Sequence, residues 1–236
     1  MLKITDGIYC IEGLRMGRVY MIEGADGLTI IDTSIANATP QISKELESIG
    51  KKLSDVKRIL ITHAHPDHIG SLSALQAATS AKVYAQPKEA QVITGQQPVK
   101  RPRGQDLPGA WKIFSNMPNP QFPATRVDRE IVEGDTLDEV LPGLTVVDLP
   151  GHAPGQVGFW YGAKSLLIAA DAVMRYGGKM RPPLIFVTPD MAEAHRSVRK
   201  MVDMKPELLC MGHGAPYLGD ATAALNEFAT RLHLMA

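Results

Sequence analysis

Four potential metal ligands lie within six residues of this chain, directly after the apolar run at 56–62. The segment reads His-Ala-His-Pro-Asp-His, and its ligand types are His63, His65, Asp67 and His68. Neutral imidazole and carboxylate suit zinc and its neighbours, and three histidines beside an aspartate are costly to pack together unless a cation holds them. Residues two apart in an extended segment project to the same side, and the next turn presents its ligands from another angle. The pattern therefore predicts a metal site, and such a loop can supply two neighbouring ions.

Each four- or five-coordinate ion needs further ligands, which must come from elsewhere in the chain. Three candidates stand at the ends of predicted strands, namely His152, Asp171 and His213. Both histidines lie in turns that contain glycine and proline, and Asp171 directly follows the apolar segment 166–170. Taken singly, each has an ordinary structural alternative, as a turn residue or a helix cap. Together they repeat a strand-end pattern that is typical of functional sites on rigid scaffolds.

Short strands alternate with helices along most of the chain. The hydrophobic pattern predicts strands at 7–11, 19–23, 28–32, 56–61, 82–85, 130–132, 144–149, 156–161 and 165–170. It predicts helices at 40–50, 71–78, 87–93, 188–204 and 221–234. Residues 96–125 form a proline-rich irregular excursion instead, which is typical of a lid, a binding loop or an oligomer contact, with a solvated surface insertion as the alternative.

The bulk composition is that of an ordinary globular chain. Its 236 residues are ample for a buried core, and we assign residues 1–236 to a single domain. The 25 basic residues balance the 25 acidic ones, so no overall field attracts nucleic acid or an anionic membrane, although Lys100, Arg101 and Arg103 form a local basic cluster. No segment approaches the length of a membrane span or a secretory signal. Cys10 and Cys210 lie 200 positions apart without a partner motif and suit two buried thiols, with a disulfide between them as the alternative. We therefore predict a cytoplasmic protein with a small-molecule substrate and no nucleic-acid or membrane partner.

The ordered ligand set resembles that of the metallo-β-lactamase fold superfamily over most of the chain. It consists of His63, His65, Asp67, His68, His152, Asp171 and His213. The resemblance implies an α/β fold, an αβ/βα four-layer sandwich in which two mixed sheets pack face to face with helices outside and the site at one edge. It also implies that His63, His65 and His152 hold one ion, that Asp67, His68 and His213 hold the second, and that Asp171 bridges both. Asp32 matches the family's early aspartate, which orients ligands, and its structural alternative is a turn-initiating residue.

Two neighbouring divalent ions lower the pKa of a shared water and polarise the oxygen that gains charge during attack. Zinc is the expected ion, and manganese and iron accept the same donors. The ligand set thus predicts a dinuclear metallohydrolase that uses a metal-bridging hydroxide, with Asp67 orienting the water or accepting its proton. An ester, lactone or thioester is the first choice of substrate, and a phosphodiester or phosphotriester is the second.

Other branches of the superfamily fit the chain less well. Antibiotic-hydrolysing members commonly have cysteine or serine where Asp171 stands, so we expect β-lactam hydrolysis only as a side activity. Glyoxalase II has similar ligands but continues into a helical substrate domain, for which the 23 residues after His213 are too few. A single-iron persulfide dioxygenase is a less favoured alternative, and so is a binding module whose metal only stabilises the fold, because structural zinc sites are usually rich in cysteine.

Substrate contacts are expected from side chains near the ligand-bearing loops. The candidates are Tyr20, Trp160, Met174, Arg175, Tyr176 and Phe186. Each has an ordinary core or surface alternative. The excursion at 96–125 is expected to be either a lid over this pocket or a contact between copies of the chain.

Overall fold

The first half of the chain forms a seven-stranded mixed sheet in a computed structural model that describes residues 1–116 and 118–234. Its strands are β1 (Leu2–Thr5), β2 (Ile8–Cys10), β3 (Tyr20–Gly24), β4 (Gly27–Ile31), β5 (Val56–Leu60), β6 (Lys82–Ala85) and β7 (Arg129–Glu130). They lie side by side in chain order, antiparallel from β1 to β4 and parallel from β4 to β7. Parallel neighbours need crossover connections, and these contain α1 (Thr39–Glu47), α2 (Pro66–Ile69), α3 (Leu72–Thr79) and α4 (Pro87–Ile93).

The second half forms a five-stranded sheet. Its elements are β8 (Leu144–Asp148), β9 (Val157–Tyr161), β10 (Leu166–Ala170), the hairpin of β11 (Met174–Tyr176) and β12 (Lys179–Arg181), α5 (Met191–Met204), β13 (Leu208–Met211), β14 (Tyr217–Leu218) and α6 (Ala221–Arg231). The strand order is β14-β13-β10-β9-β8, and the hairpin is a separate two-stranded sheet. Only β10 and β13 pair in parallel, because the hairpin and α5 form the crossover between them.

Three apolar clusters fill the spaces between four layers. The cluster between the sheets includes Tyr20 from the first sheet and Phe159 from the second. A second cluster packs the other face of the first sheet against Leu46 and the remaining residues of α1, α3 and α4 that point inward. The third packs the second sheet against Val198 of α5 and Phe228 of α6. The predicted αβ/βα sandwich is therefore confirmed.

Most predicted elements are present with shifted ends, and the strand Lys82–Ala85 and the helix Pro87–Ile93 have the predicted bounds. A strand was expected before His213 without stated bounds, and it is β13. The hydrophobic pattern missed β1, β11, β12 and β14, which are short and lie at sheet edges or in the separate hairpin. The irregular excursion contains two 3-10 segments, Gly104–Asp106 and Gly109–Asn116. Across the described residues, the helices are all too short or too polar to cross a membrane.

The two cysteines are free thiols buried between the sheets, as predicted from their isolation in the sequence. Cys10 lies in β2 and Cys210 in β13, and both belong to the inter-sheet cluster. Burial raises the pKa of Cys10 to about 11 and raises that of Cys210 as well. Both side chains therefore act as neutral packing groups.

Candidate metal centre

The candidate ligands all follow strand ends at one edge of the sandwich. The cluster at 63–68 follows β5 and extends into α2, His152 follows β8, Asp171 follows β10 directly, and His213 follows β13. Strands are buried and rigid, so the loops at their ends hold polar side chains in fixed directions. Ligands as far apart in the sequence as His63 and His213, which are 150 positions apart, therefore lie in a single site.

The structure brings six of the seven side chains into two adjoining groups of three. We call His63, His65 and His152 the first ligand group, and Asp67, His68 and His213 the second ligand group. Within each group, one ligand atom per residue lies within 4.8 Å of the others.

The Asp171 carboxylate lies between the two groups. Its Oδ2 is 3.3 Å from Nε2 of His152 and 3.3 Å from Nε2 of His213, and its Oδ1 is 3.4 Å from Nε2 of His68. One side chain therefore reaches both groups.

Several buried polar atoms of the cluster make no hydrogen bond within the described residues. They are Nε2 of His63, Nε2 of His68 and Oδ1 of Asp171, of which the last two face each other at 3.4 Å without forming a hydrogen bond. Such atoms are costly unless something else satisfies them. Gly212 adds a close backbone approach, because a Cβ there would lie 1.8 Å from Oδ1 of Asp171. The unpartnered donor atoms converge on a small volume, so the residues fit a pair of divalent cations.

Charge divides the histidines into two classes. Burial lowers the pKa of all three histidines in the first ligand group, to about 4 for His152. Burial also opposes charge on His68 and His213, but nearby aspartates outweigh it, raising the pKa of His68 well above its usual value and that of His213 to about 9. Burial alone would raise the pKa of both aspartates. The nearby histidines outweigh it, so the pKa of Asp171 lies well below its usual range and that of Asp67 is about 2. The protons on His68 and His213 occupy places that cations would take.

In protein freed of metal by chelation, we expect thermal stability to fall as the pH rises from 6.5 to 9. The pKa of His213 is raised from 6.5 to about 9 in the folded chain, so the stabilising proton is fully bound below pH 6.5 and lost as the pH passes 9. A bound cation replaces this proton, so metal-loaded protein should not show the fall. Thermal unfolding followed by circular dichroism across this pH range measures the difference. His213→Asn is the control and should make the metal-free profile less steep, with the remaining fall due to His68, whose pKa is also raised. Equal slopes with and without metal would contradict the assignment.

Neighbouring side chains orient the ligands. The Nδ1–H of His68 donates to Oδ2 of Asp32 at 2.7 Å, and Thr62 donates to the same carboxylate from its backbone nitrogen and its hydroxyl. Through these hydrogen bonds Asp32 fixes the direction of the His68 ring, and its role toward a bound metal stays a prediction. Nδ1 of His152 lies 3.1 Å from the hydroxyl of Thr188, a partner that the sequence reasoning missed.

Glu89 is a second residue that sequence reasoning missed. Its side chain is 3% exposed and accepts hydrogen bonds from the backbone nitrogens of Ala64 and Gly155, both at 2.8 Å. Ala64 lies between His63 and His65, and Gly155 lies three residues after His152. One carboxylate thus ties together the two loops of the first ligand group. The sequence offers no signal for this role, because an acidic residue in the first turn of α4 is ordinary for a helix.

The backbone is strained immediately before Asp171. Ala170 has a φ of 47°, in the left-handed region that residues other than glycine rarely adopt, and the pairing of β10 with β13 shifts register there. The backbone nitrogen of Gly212 donates to the carbonyl of Ala170 at 2.8 Å and holds this turn in place. Strain of this kind persists where the surroundings impose it, and here it accompanies the turn that directs Asp171 into the cluster.

A cavity of about 540 Å³ opens beside the ligands and has His65, Asp67, His152, Asp171 and His213 in its wall. Of the side chains expected to contact substrate, Met174, Tyr176 and Phe186 line it.

The other three expected contacts do not line this cavity. Tyr20 is buried between the sheets and donates its hydroxyl to the carbonyl of Met211 at 2.7 Å, Trp160 packs against the cluster under α5 and α6, and Arg175 lies over the ring of Tyr217. Strand alternation explains the first two cases, because their side chains point to faces of the sheets that are covered by other layers.

Comparison with known proteins gives consistent matches over the whole site. The family model of the metallo-beta-lactamase superfamily matches residues 13–213. Two proteins of Bacillus subtilis (strain 168) match most of the chain: the uncharacterized protein YobT is 30% identical over 83% of this chain and 82% of its own length, and the probable metallo-hydrolase YflN is 26% identical over 93% and 89%.

A hydroxyacylglutathione hydrolase of Fuscovulum blasticum is 28% identical over 81% of this chain and 59% of its own length. Among solved structures, a metallo-beta-lactamase family protein of Thermus thermophilus superposes with a TM-score of 0.74 at 21% identity, covering 98% of this chain and 81% of that chain. This last likeness concerns the fold.

Proposed function

Because this chain belongs to the metallo-β-lactamase superfamily, we propose that it is a dinuclear metallohydrolase that cleaves an ester, lactone or thioester bond. Its relatives include a probable metallo-hydrolase and a hydroxyacylglutathione hydrolase, whose named substrate is a thioester. Imidazole nitrogens and carboxylate oxygens favour zinc as the ion at both positions.

The observation that carries this proposal is the position of Asp171. Two groups of three ligands adjoin each other, and this single carboxylate is within 3.4 Å of a ligand atom in both. The set contains no cysteine, unlike the closed sites that only stabilise a fold. The second ligand group also borders the cavity through Asp67 and His213, so a substrate can reach it.

When bound, a pair of divalent ions would lower the pKa of a water and polarise the substrate oxygen that gains charge. The protein's own residues then position the reactants. Asp67 faces the cavity. Its carboxylate would accept a hydrogen bond from the attacking water, which orients the water or takes its proton. His152, held through Thr188, and His68, held through Asp32, keep their ring planes fixed during this step.

Phosphodiester hydrolysis is the second candidate, and a specific feature of the cavity favours it. Arg15, Arg18 and Arg101 are part of the cavity wall. The guanidinium of Arg18 donates to the carbonyl of Gly214 at 3.1 Å, and Arg15 is exposed. Guanidinium groups at a cavity mouth suit an anionic substrate.

A substrate panel with metal analysis tests the proposed function. We expect purified protein to carry two equivalents of zinc and to hydrolyse nitrophenyl acetate or a lactone faster than a nitrophenyl phosphodiester or a chromogenic cephalosporin. Chelated protein is the control and should lose this turnover and regain it with added zinc. Two bound ions without turnover of any compound would favour a binding module, and one tightly bound iron with oxygen uptake would favour a dioxygenase.

A further inference from the structure

The wall of the cavity beside the ligands is more apolar than polar. Its polar groups are the ligand residues together with Arg15, Arg18 and Arg101, and its apolar side chains include Leu14, Ile35, Met174, Leu184, Phe186 and Val187. These side chains come from separate parts of the chain, so the apolar surface is produced by the fold and not by one hydrophobic segment. A charged group placed against these apolar side chains would lose its hydration without gaining partners. An apolar group is therefore the better occupant of the space beside them.

Large apolar side chains are also exposed around this cavity. Met16, Tyr176 and Leu184 line it and are 54%, 45% and 42% exposed. Exposed apolar side chains that share one cavity mark a place where another apolar group binds. The ligand residues line the same cavity, so an apolar group bound there shares this space with the bond to be cleaved.

An aromatic stack supports the wall that contains Phe186. The stack consists of Trp111, Phe114 and Phe186, with ring centroids 5.2 Å apart and planes 9° apart for Trp111 and Phe186, and 4.6 Å and 25° for Phe114 and Phe186. Such pairs add stability beyond the area that they bury. Trp111 and Phe114 belong to the 3-10 segment Gly109–Asn116, so the stack fastens the irregular excursion to the cavity wall.

The same wall is connected to the first ligand group. Phe186 lies in the 3-10 turn Ile185–Val187, and the next residue, Thr188, lies 3.1 Å from Nδ1 of His152 through its hydroxyl. The Thr188 hydroxyl also donates to the carbonyl of Leu184 at 2.8 Å, which closes this turn. The position of the wall is therefore set relative to a ligand.

We propose that this cavity binds the apolar carbon chain of the acyl group of the substrate, and that the aromatic stack sets the preferred chain length. The inference rests on the proposed ester, lactone or thioester hydrolysis and adds the class of acyl group to it. Phe186 contacts the chain directly, whereas Trp111 acts by holding Phe186 in place.

The test is a series of nitrophenyl esters from acetate to decanoate, assayed with zinc-loaded protein below the concentrations at which the esters aggregate. Each methylene that enters an apolar site is expected to raise kcat/KM about fourfold until the cavity is filled. Phe186→Ala should lower the ratio of decanoate to acetate turnover at least about tenfold. Trp111→Ala should lower it about threefold, since only the support of Phe186 is lost.

Ile113→Ala is the matched control. Ile113 belongs to the same 3-10 segment, is 73% exposed, and neither lines the cavity nor joins the stack. Its replacement should leave the whole ester series unchanged. Thermal unfolding of each variant establishes that the fold is retained.

A binding measurement separates this inference from the proposed function. Calorimetry with 1-decanol and 1-butanol, which have no bond to hydrolyse, should show tighter binding of the longer alcohol and weaker decanol binding by Phe186→Ala. Ester turnover that is independent of chain length, together with no preference for decanol, would overturn the inference and leave hydrolysis standing. Decanol binding that depends on Phe186, without turnover of any ester, would support the apolar site and overturn the proposed reaction. A preference for the phosphodiester over every ester would overturn both.

Discussion

Replacing Asp171 with alanine is expected to lower kcat/KM at least about a hundredfold. Loss of a group that only orients a metal ligand lowers activity by up to about a hundredfold, and a ligand itself should matter at least as much. The same change should lower the metal content below two equivalents. The reason is geometric, because this carboxylate is within 3.4 Å of His68, His152 and His213, which belong to two different ligand groups. Metal analysis of the variant and steady-state kinetics on the best ester of the panel measure both effects.

Asp148→Asn is a matched control for this experiment. Asp148 also lies at a strand end and is partly buried, but it is not among the candidate ligands. Its replacement should leave the metal content and turnover near those of the unchanged protein. If Asp171→Ala kept full metal occupancy and normal turnover, the bridging role would be refuted.

Replacing Glu89 with alanine is expected to destabilise the fold by several kcal/mol and to weaken metal binding at the first ligand group. The backbone nitrogens of Ala64 and Gly155 would lose their acceptor inside the protein, at a cost of about 1–3 kcal/mol each. Because the two loops would no longer be tied together, metal affinity should fall about 10–100-fold, as for other groups that position ligands. Chemical unfolding and zinc titration against a chelating indicator measure the two quantities.

Gln86→Ala separates the loop tie from the stability of the helix. Gln86 precedes α4 and accepts a hydrogen bond from the backbone nitrogen of Lys88, so its loss weakens the start of the same helix without cutting either bond to the ligand loops. It should lower the unfolding temperature and keep zinc affinity. Glu89→Gln retains one good acceptor, so its zinc affinity is expected to lie between those of Gln86→Ala and Glu89→Ala. Equal loss of zinc affinity in Gln86→Ala and Glu89→Ala would show that only helix stability matters.

Local sequence carried most of the information about the candidate ligands. His63, His65, Asp67 and His68 lie within six residues, so their mutual placement depends on one short loop whose type and spacing can be read directly. The strand-end rule then selected His152, Asp171 and His213, because rigid strands that end at a common edge bring their following loops together. Hydrophobic periodicity was enough to predict most strands and helices, since each buried face repeats with the period of its own element, whereas the four layers followed from the family resemblance.

Tertiary structure alone decided the residues that hold and surround the ligands. Glu89 and Thr188 are ordinary in their own helices and turns, and only long-range packing places them against Ala64, Gly155 and His152. The wall at Phe186 is supported by residues more than seventy positions earlier in the chain. Periodicity and spacing report which face of an element is buried, but they carry no information about which distant side chain fills the space opposite. That choice is made by the packing of the completed sandwich.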